Sequence, residues 1–545
     1  MGSNSGNNPA TIDSILVFLL GVGWSNDTRF LRWPPDVFAV AAVLLQKSGA
    51  YINVIEKWPV SKHRNWANLI TTISRDWKAA STNPKRKCPQ QVLDWWIVII
   101  THSNLAIDEI VDNKPVWLSL IGLCCAADSV CEGVGFLGEK VWTDAFLLKT
   151  VNRLWKCMYD HQPSTLCKNI HHSKVVVLPK VHTPQKGITL RSISHNLALS
   201  ESADIDINWR LATPLINRDS STDHSAVILI IPHPRELRPS QFKVSKPIHG
   251  FLNEMEKKEF GFFDYVPTSD SLILNKLDDL YRKTKAKVGR VDGIVFPEMA
   301  LTPKEYKTLR NRIRKKYPSI WFLCCGVFLP PTSKKRGLNY AAIWKRFELG
   351  DFDSNQHKHH RWFLDESQIC QYGMGSVLDP TKKWWENISI KTRELNFVAF
   401  KSWLTVCVLI CEDLARPDPV GNAIRSVGPN LVIALLQDGP QLSNRWAARC
   451  ATTLTDDPGC SVLTVTSLGM TGLSRPHLDS VGHVPPSRVI AHWKDRETGS
   501  KQISLPDNMG AVALCISRKL EHEWSADGRR SDRAALVKLA GVHYV

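Results

Sequence analysis

The sequence predicts a layered α/β half preceded by an all-α domain. From about Pro34 to Lys180, apolar residues recur at three-and-four spacing. After about residue 222, short apolar runs alternate with helical patterns, which is how layered α/β structure is written. The chain has 545 residues, too many for one core of ordinary size, so at least two domains are expected.

The helical reading rests on "PPDVFAVAAVLLQKSGAYINVIEKW", "NWANLITTISRDWKAA", "QQVLDWWIVIITHSNLAIDEIV" and "KVWTDAFLLKTVNRLWKCMY". Each sustains the helical period over eleven or more positions, with Pro and Gly between them. Two further apolar runs, Ser14 to Asn26 and Val116 to Ala127, are too short to cross a bilayer and read as core helices. The first has no Lys or Arg before Arg29, against a signal peptide, and Gly6 stands where N-myristoylation wants Ser or Thr. Fourteen cysteines without repeating spacing, with adjacent pairs at Cys124, Cys125 and Cys324, Cys325, read as reduced thiols in a cytoplasmic protein with no membrane partner. The polar stretch 183–222 lacks periodicity and is read as a linker between a helical domain, 1–182, and a second domain, 223–545. Nothing in 1–182 attaches to a known chemistry.

In the second domain "SAVILIIPHP", "VDGIVFPEMA", "SIWFLCCGVFLPP", "LNYAAIWKRF", "FVAFKSWLTVCVLICED", "PNLVIALLQDG" and "CSVLTVTSLG" read as strands. "SDSLILNKLDDLYRKT", "TPKEYKTLRNRIRKKY" and "QLSNRWAARCATTL" read as helices among them. Three strand ends or following loops carry one reactive type each. "IVFPEMAL" ends on Glu298, "DSNQHKHHRWF" offers Lys358, and "VLICEDL" ends on Cys411. Taken singly, Cys411 could be an ordinary buried cysteine, Glu298 a helix-capping carboxylate and Lys358 a solvated lysine.

A Glu, a Lys and a Cys in this order, with the Cys on a strand end, resemble the carbon-nitrogen hydrolase (nitrilase) superfamily. The resemblance covers roughly Ala226 to Arg475 and includes the "LLQDGPQLSNRWAARCA" segment after the cysteine. Lys358 and Cys411 are further apart than is usual there, which implies an insertion around "CQYGMGSVLDPTKKWWENISIKTRELN". The resemblance implies an αββα sandwich that dimerises through its helical face, and hydrolysis of an amide, ahead of a nitrile, through a thioester.

The chemistry accounts for the residue types. An ammonium such as Lys358 beside a thiol favours the thiolate, the species that attacks a carbonyl carbon. Glu298 would take the thiol proton, give it to the leaving amine and then activate water. Lys358 and the backbone N–H of Glu412 would hold the oxyanion, an arrangement in which one donor is typically worth ~100- to 1,000-fold in rate. Members of the family carry a second glutamate shortly after the lysine, and Glu366 in "FLDESQ" is the nearest match, ahead of Asp365.

The alternative is a nitrilase-like scaffold or effector in a multi-component assembly, similar to those found with reverse transcriptases in bacterial antiviral defence. The net charge of +17 makes nucleic acid or a nucleoprotein a possible partner, although the densest basic run, Lys304 to Tyr317, also fits a surface helix buried through Tyr306, Leu309 and Ile313. The histidines His357, His359 and His360, and "CKNIHH" at Cys167 to His172, lack a second cluster at ligand spacing, so no metal is expected. No Walker-type loop or G-x-G-x-x-G is present, and no cofactor is implied.

Overall fold

Pro34 and Pro35 open the helix Pro34–Ser48, where their missing N–H groups cost nothing, and Gly49 closes it in a left-handed conformation (φ 69°). Every side chain from Pro34 to Leu45 is buried. This helix packs on Lys114–Val130, which Asn113 caps by accepting the Val116 N–H at 3.2 Å. Gly122 in the second helix lets Gln90–Thr101 approach: a Cβ there would lie 2.6 Å from the Trp95 indole. The helices Ile12–Leu20, His63–Thr82 and Ala145–Tyr159 complete this set. Among the described residues no single helix is long and apolar enough to cross a membrane.

The computed structural model describes residues 10–26, 28–57, 63–137, 139–181, 187–201, 205–211, 224–245, 259–267, 272–332, 334–346, 351–390, 393–474 and 485–545. They fall into two compact units. The first comprises Met1–Leu211, Asn422–Gly428 and Leu520–Ala535; the second comprises Ala212–Gly421, Pro429–Lys519 and Leu536–Val545.

The first unit is not all-α. The β-branched run Val175–Pro179 is fully buried and pairs antiparallel with Leu197–Glu201, Val177 opposite Leu199. A run of three valines favours the pleated conformation over the helix. Within the polar stretch 183–222 the described residues also include the strand Asp206–Leu211, whose buried Trp209 donates its indole N–H to Gly135 O at 2.8 Å.

The second unit is mixed α/β. A seven-stranded sheet runs in the order Phe352–His357, Leu338–Lys345, Phe322–Leu329, Gly293–Val295, Ser225–Ile230, Val512–Trp524 and Arg530–Tyr544. Its three inner strands, Ser225–Ile230, Gly293–Val295 and Phe322–Leu329, are parallel. The helices Leu272–Val288 and Pro303–Lys316 form a core with it through Leu277, Leu280, Leu309 and Ile313. Six strands form another sheet, in the order Gly499–Ser504, Val489–Asp495, Ser461–Thr466, Leu431–Leu436, Leu404–Ile410 and Glu394–Lys401. Here too three adjacent strands, Ser461–Thr466, Leu431–Leu436 and Leu404–Ile410, are parallel. Gln356 fastens one sheet to the other, its Nε2 donating to Val408 O at 2.5 Å and its Oε1 accepting the Asn396 N–H at 2.9 Å. A third, four-stranded sheet joins Phe363–Leu364 and Lys383–Glu386, beside and within the insertion, to Phe260–Tyr265 and Phe242–Val244.

The basic helix Pro303–Lys316 buries Tyr306, Leu309 and Ile313, as its period predicts. Much of its charge is spent within the unit. Arg310 pairs with Asp353, Arg312 and Lys316 with Asp278, and Arg314 with Asp351. Lys304, Lys307 and Lys315 stay exposed.

Candidate active site

Parallel strands deliver reactive side chains at their C-terminal ends, where the backbone leaves the sheet. Glu298 follows the strand Gly293–Val295, and Cys411 follows Leu404–Ile410. Both turns are strained: Cys411 itself has φ 45°, and Met299, next to Glu298, has φ 52°. A non-glycine residue held there costs of order 1–3 kcal/mol and persists only where its surroundings enforce it. Gly326 makes room for the glutamate turn, since a Cβ there would lie 2.2 Å from Pro297 O and 2.4 Å from Glu298 Cα.

Lys358 comes directly after the edge strand Phe352–His357, and its N–H donates to Asn339 O at 2.9 Å. Its Nζ donates to Glu298 Oε1 at 2.8 Å and to Glu386 Oε2 at 2.8 Å. Asn339 Nδ2 bridges the same two carboxylates, at 2.7 Å to Glu298 Oε1 and 2.8 Å to Glu386 Oε1. Backbone groups complete the cradle: the Gln437 N–H reaches Glu298 Oε2 at 2.6 Å and the Trp362 N–H reaches Glu386 Oε2 at 3.1 Å. Glu298, Lys358, Glu386 and Cys411 are all at most 2% exposed.

This burial decides the protonation states. Burial pushes the Cys411 thiol up, the Glu298 charge adds to it, and Lys358 offsets only part, so the thiol stands well above its ordinary range. The ammonium expected to favour a thiolate does oppose the rise, and it is shared between Glu298 and Glu386. Burial also raises Glu298; Lys358 opposes the rise and Glu386 reinforces it. Burial acts against the Lys358 ammonium, but Glu298 and then Glu386 overcome it and hold the lysine well above its usual range. Lys358 Nζ gives one N–H to each carboxyl group and has a third that neither accepts.

Lys358 is hydrogen-bonded to Glu298, and the charges of both act on the Cys411 thiol. Glu366 does not join them. It is exposed in the first turn of Glu366–Gln371, a helix that Asp365 caps by accepting the Gln368 N–H at 2.9 Å. The second carboxylate is Glu386, at the end of the short strand Lys383–Glu386, which spacing from the lysine could not reach across the insertion. "KWWE", an aromatic pair running into a carboxylate, was the available signal. Glu412 follows Cys411 in a short helical turn, its side chain paired with Arg416.

Asp413 answers why two carboxylates follow the cysteine. It is fully buried, accepts the His359 N–H on both oxygens at 3.1 Å and contacts His360 Nδ1 at 2.9 Å. It thus ties the lysine loop to the cysteine turn. His359 Nε2 meets Glu394 O at 2.7 Å, so both histidines are engaged in fixing loops. Among the described residues no three His, Cys, Asp or Glu side chains gather in a metal-holding group.

No protein-family model and no curated protein sequence matches the chain. Among solved structures it is similar to members of the nitrilase superfamily over about half its length, with the N-terminal part outside the match. One is Saccharomyces cerevisiae Nit3, of branch 10 of that superfamily, at 11% identity and a TM-score of 0.31, over 54% of this chain and 90% of that one. Another is a mutant amidase from Nesterenkonia sp. AN1 with the acetamide moiety of fluoroacetamide added covalently at its active-site cysteine. It matches at 10% identity and a TM-score of 0.31, over 53% of this chain and 89% of that one. A carbon-nitrogen hydrolase from Helicobacter pylori matches at 10% identity and a TM-score of 0.27, over 58% of this chain and 88% of that one.

Proposed function

We propose that the second unit is a carbon-nitrogen hydrolase that cleaves a small amide through a thioester on Cys411. The observation that carries this reading is the buried Lys358 ammonium held between Glu298 and Glu386 beside a strained cysteine turn. A buried ion pair of this kind costs stability unless it is fully hydrogen-bonded, and here it is kept at the junction of strand ends. The layering of helices and two sheets fits an αββα sandwich.

Glu298 acts as general base. It takes the Sγ proton as sulfur forms its bond to the amide carbon, and the carbonyl π electrons move onto oxygen. The Lys358 N–H that neither carboxylate uses, with the Glu412 backbone N–H, stabilises that oxyanion. Collapse expels the amine, which takes the proton from Glu298. Water then gives a proton to Glu298, adds to the thioester and releases the acid, and the proton returns to sulfur. The raised Glu298 suits the cycle, because a carboxylate of higher pKa is the better proton acceptor and can still return the proton to the leaving amine.

Mass spectrometry of the Cys411 peptide after incubation with small primary amides, alongside measurement of released ammonia, tests the reading. An acyl mass on Cys411 that disappears on hydrolysis is expected. Ammonia release that survives Cys411→Ala would overturn it.

A further inference from the structure

The proposed chemistry leaves one buried residue beside it without employment. Gln437 is 1% exposed, and both its Oε1 and Nε2 are buried without a hydrogen-bond partner among the described residues. Leaving a carboxamide dry at both ends is costly, and such groups in folded proteins normally have a partner. Gln437 follows the strand Leu431–Leu436, which runs parallel beside the strand that ends at Cys411, with Ile410 opposite Leu435. Its own N–H is the group on Glu298 Oε2 at 2.6 Å. The orphaned carboxamide is thus rooted at the proposed general base.

A further acceptor on the same carboxylate framework is unpartnered among the described residues: Asn339 gives its Nδ2 to both carboxylates while its Oδ1 accepts nothing. The unsatisfied donor and acceptor of Gln437 are complementary to a ligand carrying both. The charges narrow the class. Asp438 is consumed by Tyr372, Arg445 and Trp446, at 2.5, 2.7 and 3.1 Å, and therefore offers little to a cationic ligand. Lys358 and Arg445 are each ion-paired already, so neither is disengaged to receive a carboxylate, and Glu298, Glu386 and Asp438 repel one.

Resting on the hydrolase reading, we propose that Gln437 determines substrate specificity by pairing with a second, neutral carboxamide on the acyl part of the substrate. Gln437 Nε2 donates to the carbonyl of that group and Oε1 accepts its N–H. The favoured substrates are short diamides, ahead of the corresponding simple amides or amide acids.

The full-length protein is tested with succinamide and butyramide, which differ in the presence of the second carboxamide. The unmodified chain should favour succinamide by roughly ten- to a hundredfold in kcat/KM, since a site built to hydrogen-bond a group rejects the analogue lacking it. Gln437→Leu should remove most of that preference by lowering succinamide kcat/KM more than butyramide kcat/KM, and Gln437→Glu, which keeps the shape but not the donor, should weaken it as well. Calorimetric binding of succinamide to Cys411→Ala, with and without Gln437→Leu, reads the same contact without turnover. A preference unchanged by either Gln437 variant, or equal loss for both amides, overturns the proposal, as does a site that holds water only and binds neither compound. Acylation of Cys411 with no response to Gln437 would sink this inference and leave the hydrolase reading standing. Gln437-dependent binding with no adduct on Cys411 would do the reverse.

Discussion

Each unit of the molecule buries one cation between two carboxylates, and the two arrangements are used differently. In the first unit Arg529 lies between Asp128 and Asp527, at 3.1 and 2.8 Å. Two more of its donors go to the carbonyls of Cys125 and Ile193, and Asp128 also accepts the backbone N–H groups of His195, Asn196 and Leu197. Four of the five guanidinium N–H groups thus have fixed partners and the group cannot lose its proton, so this cluster fastens segments of chain together. In the second unit Lys358 lies between Glu298 and Glu386, but keeps one donor unspent, has a thiol beside it, and sits among strained turns. Buried charge alone therefore does not mark a site. What sets the second arrangement apart is a cation able to give up its proton, held among strained backbone turns.

That contrast is broken or sharpened most strongly by removing the nucleophile. Cys411→Ala should lower amide turnover by roughly a millionfold, the scale on which losing a nucleophile acts, and leave the thermal melt nearly unchanged. A melt shifted by many degrees with turnover retained would make Cys411 structural. Next in size is Arg529→Leu. It leaves Asp128 and Asp527 buried and unpaired, and should destabilise the first unit by about 3–5 kcal/mol in a denaturant titration. A cost under 1 kcal/mol would show that this cluster is not the fastening described.

A smaller effect is expected at the link between the lysine loop and the cysteine turn. Asp413→Asn keeps an acceptor for the His359 N–H but loses the charge that faces His360, and kcat should fall on the order of ten- to a hundredfold, the usual effect of second-layer partners. Because Asp413 acts by positioning, KM should change less than kcat. A fall in KM-limited turnover alone would point instead to substrate contact.

The same contrast explains what could be read from the sequence. Glu298 and Cys411 were visible because each ends an apolar β-branched run, and Lys358 because it stands between them in order, although the segment before it, Phe352–His357, is a strand and not a polar loop. The strands Ser225–Ile230, Leu431–Leu436 and Ser461–Thr466 and the helix Trp446–Asp456 stand where alternation placed them. Glu386 and Gln437 were not visible. Glu386 is brought back by the pairing of Lys383–Glu386 with Phe260–Tyr265, a non-local pairing that spacing does not encode, and Gln437 stands out only because no described residue satisfies its carboxamide. The polar segment 187–211 hid two strands for a related reason: Leu197–Glu201 is buried by its partner Val175–Pro179 and not by its own periodicity.

The subtlest test concerns the second carboxylate. Glu386→Gln retains an oxygen for the Lys358 Nζ and the Trp362 N–H, so the lysine should stay in place and turnover should fall only about tenfold, at the lower end of second-layer effects. Its more informative consequence is the pH profile. The proposed cycle needs Glu298 ionised, so activity falls as pH drops through the Glu298 pKa, which burial places above the ordinary glutamate value of 4.5 and Glu386 raises further. Removing the Glu386 charge takes away a repulsion that favours protonated Glu298. The Glu298 pKa then falls, and the acid limb of kcat/KM moves to lower pH. An acid limb that stayed where it was would mean that the group titrating there is not Glu298, and a limb that moved up would mean that Glu386 holds the site ionised instead of opposing it.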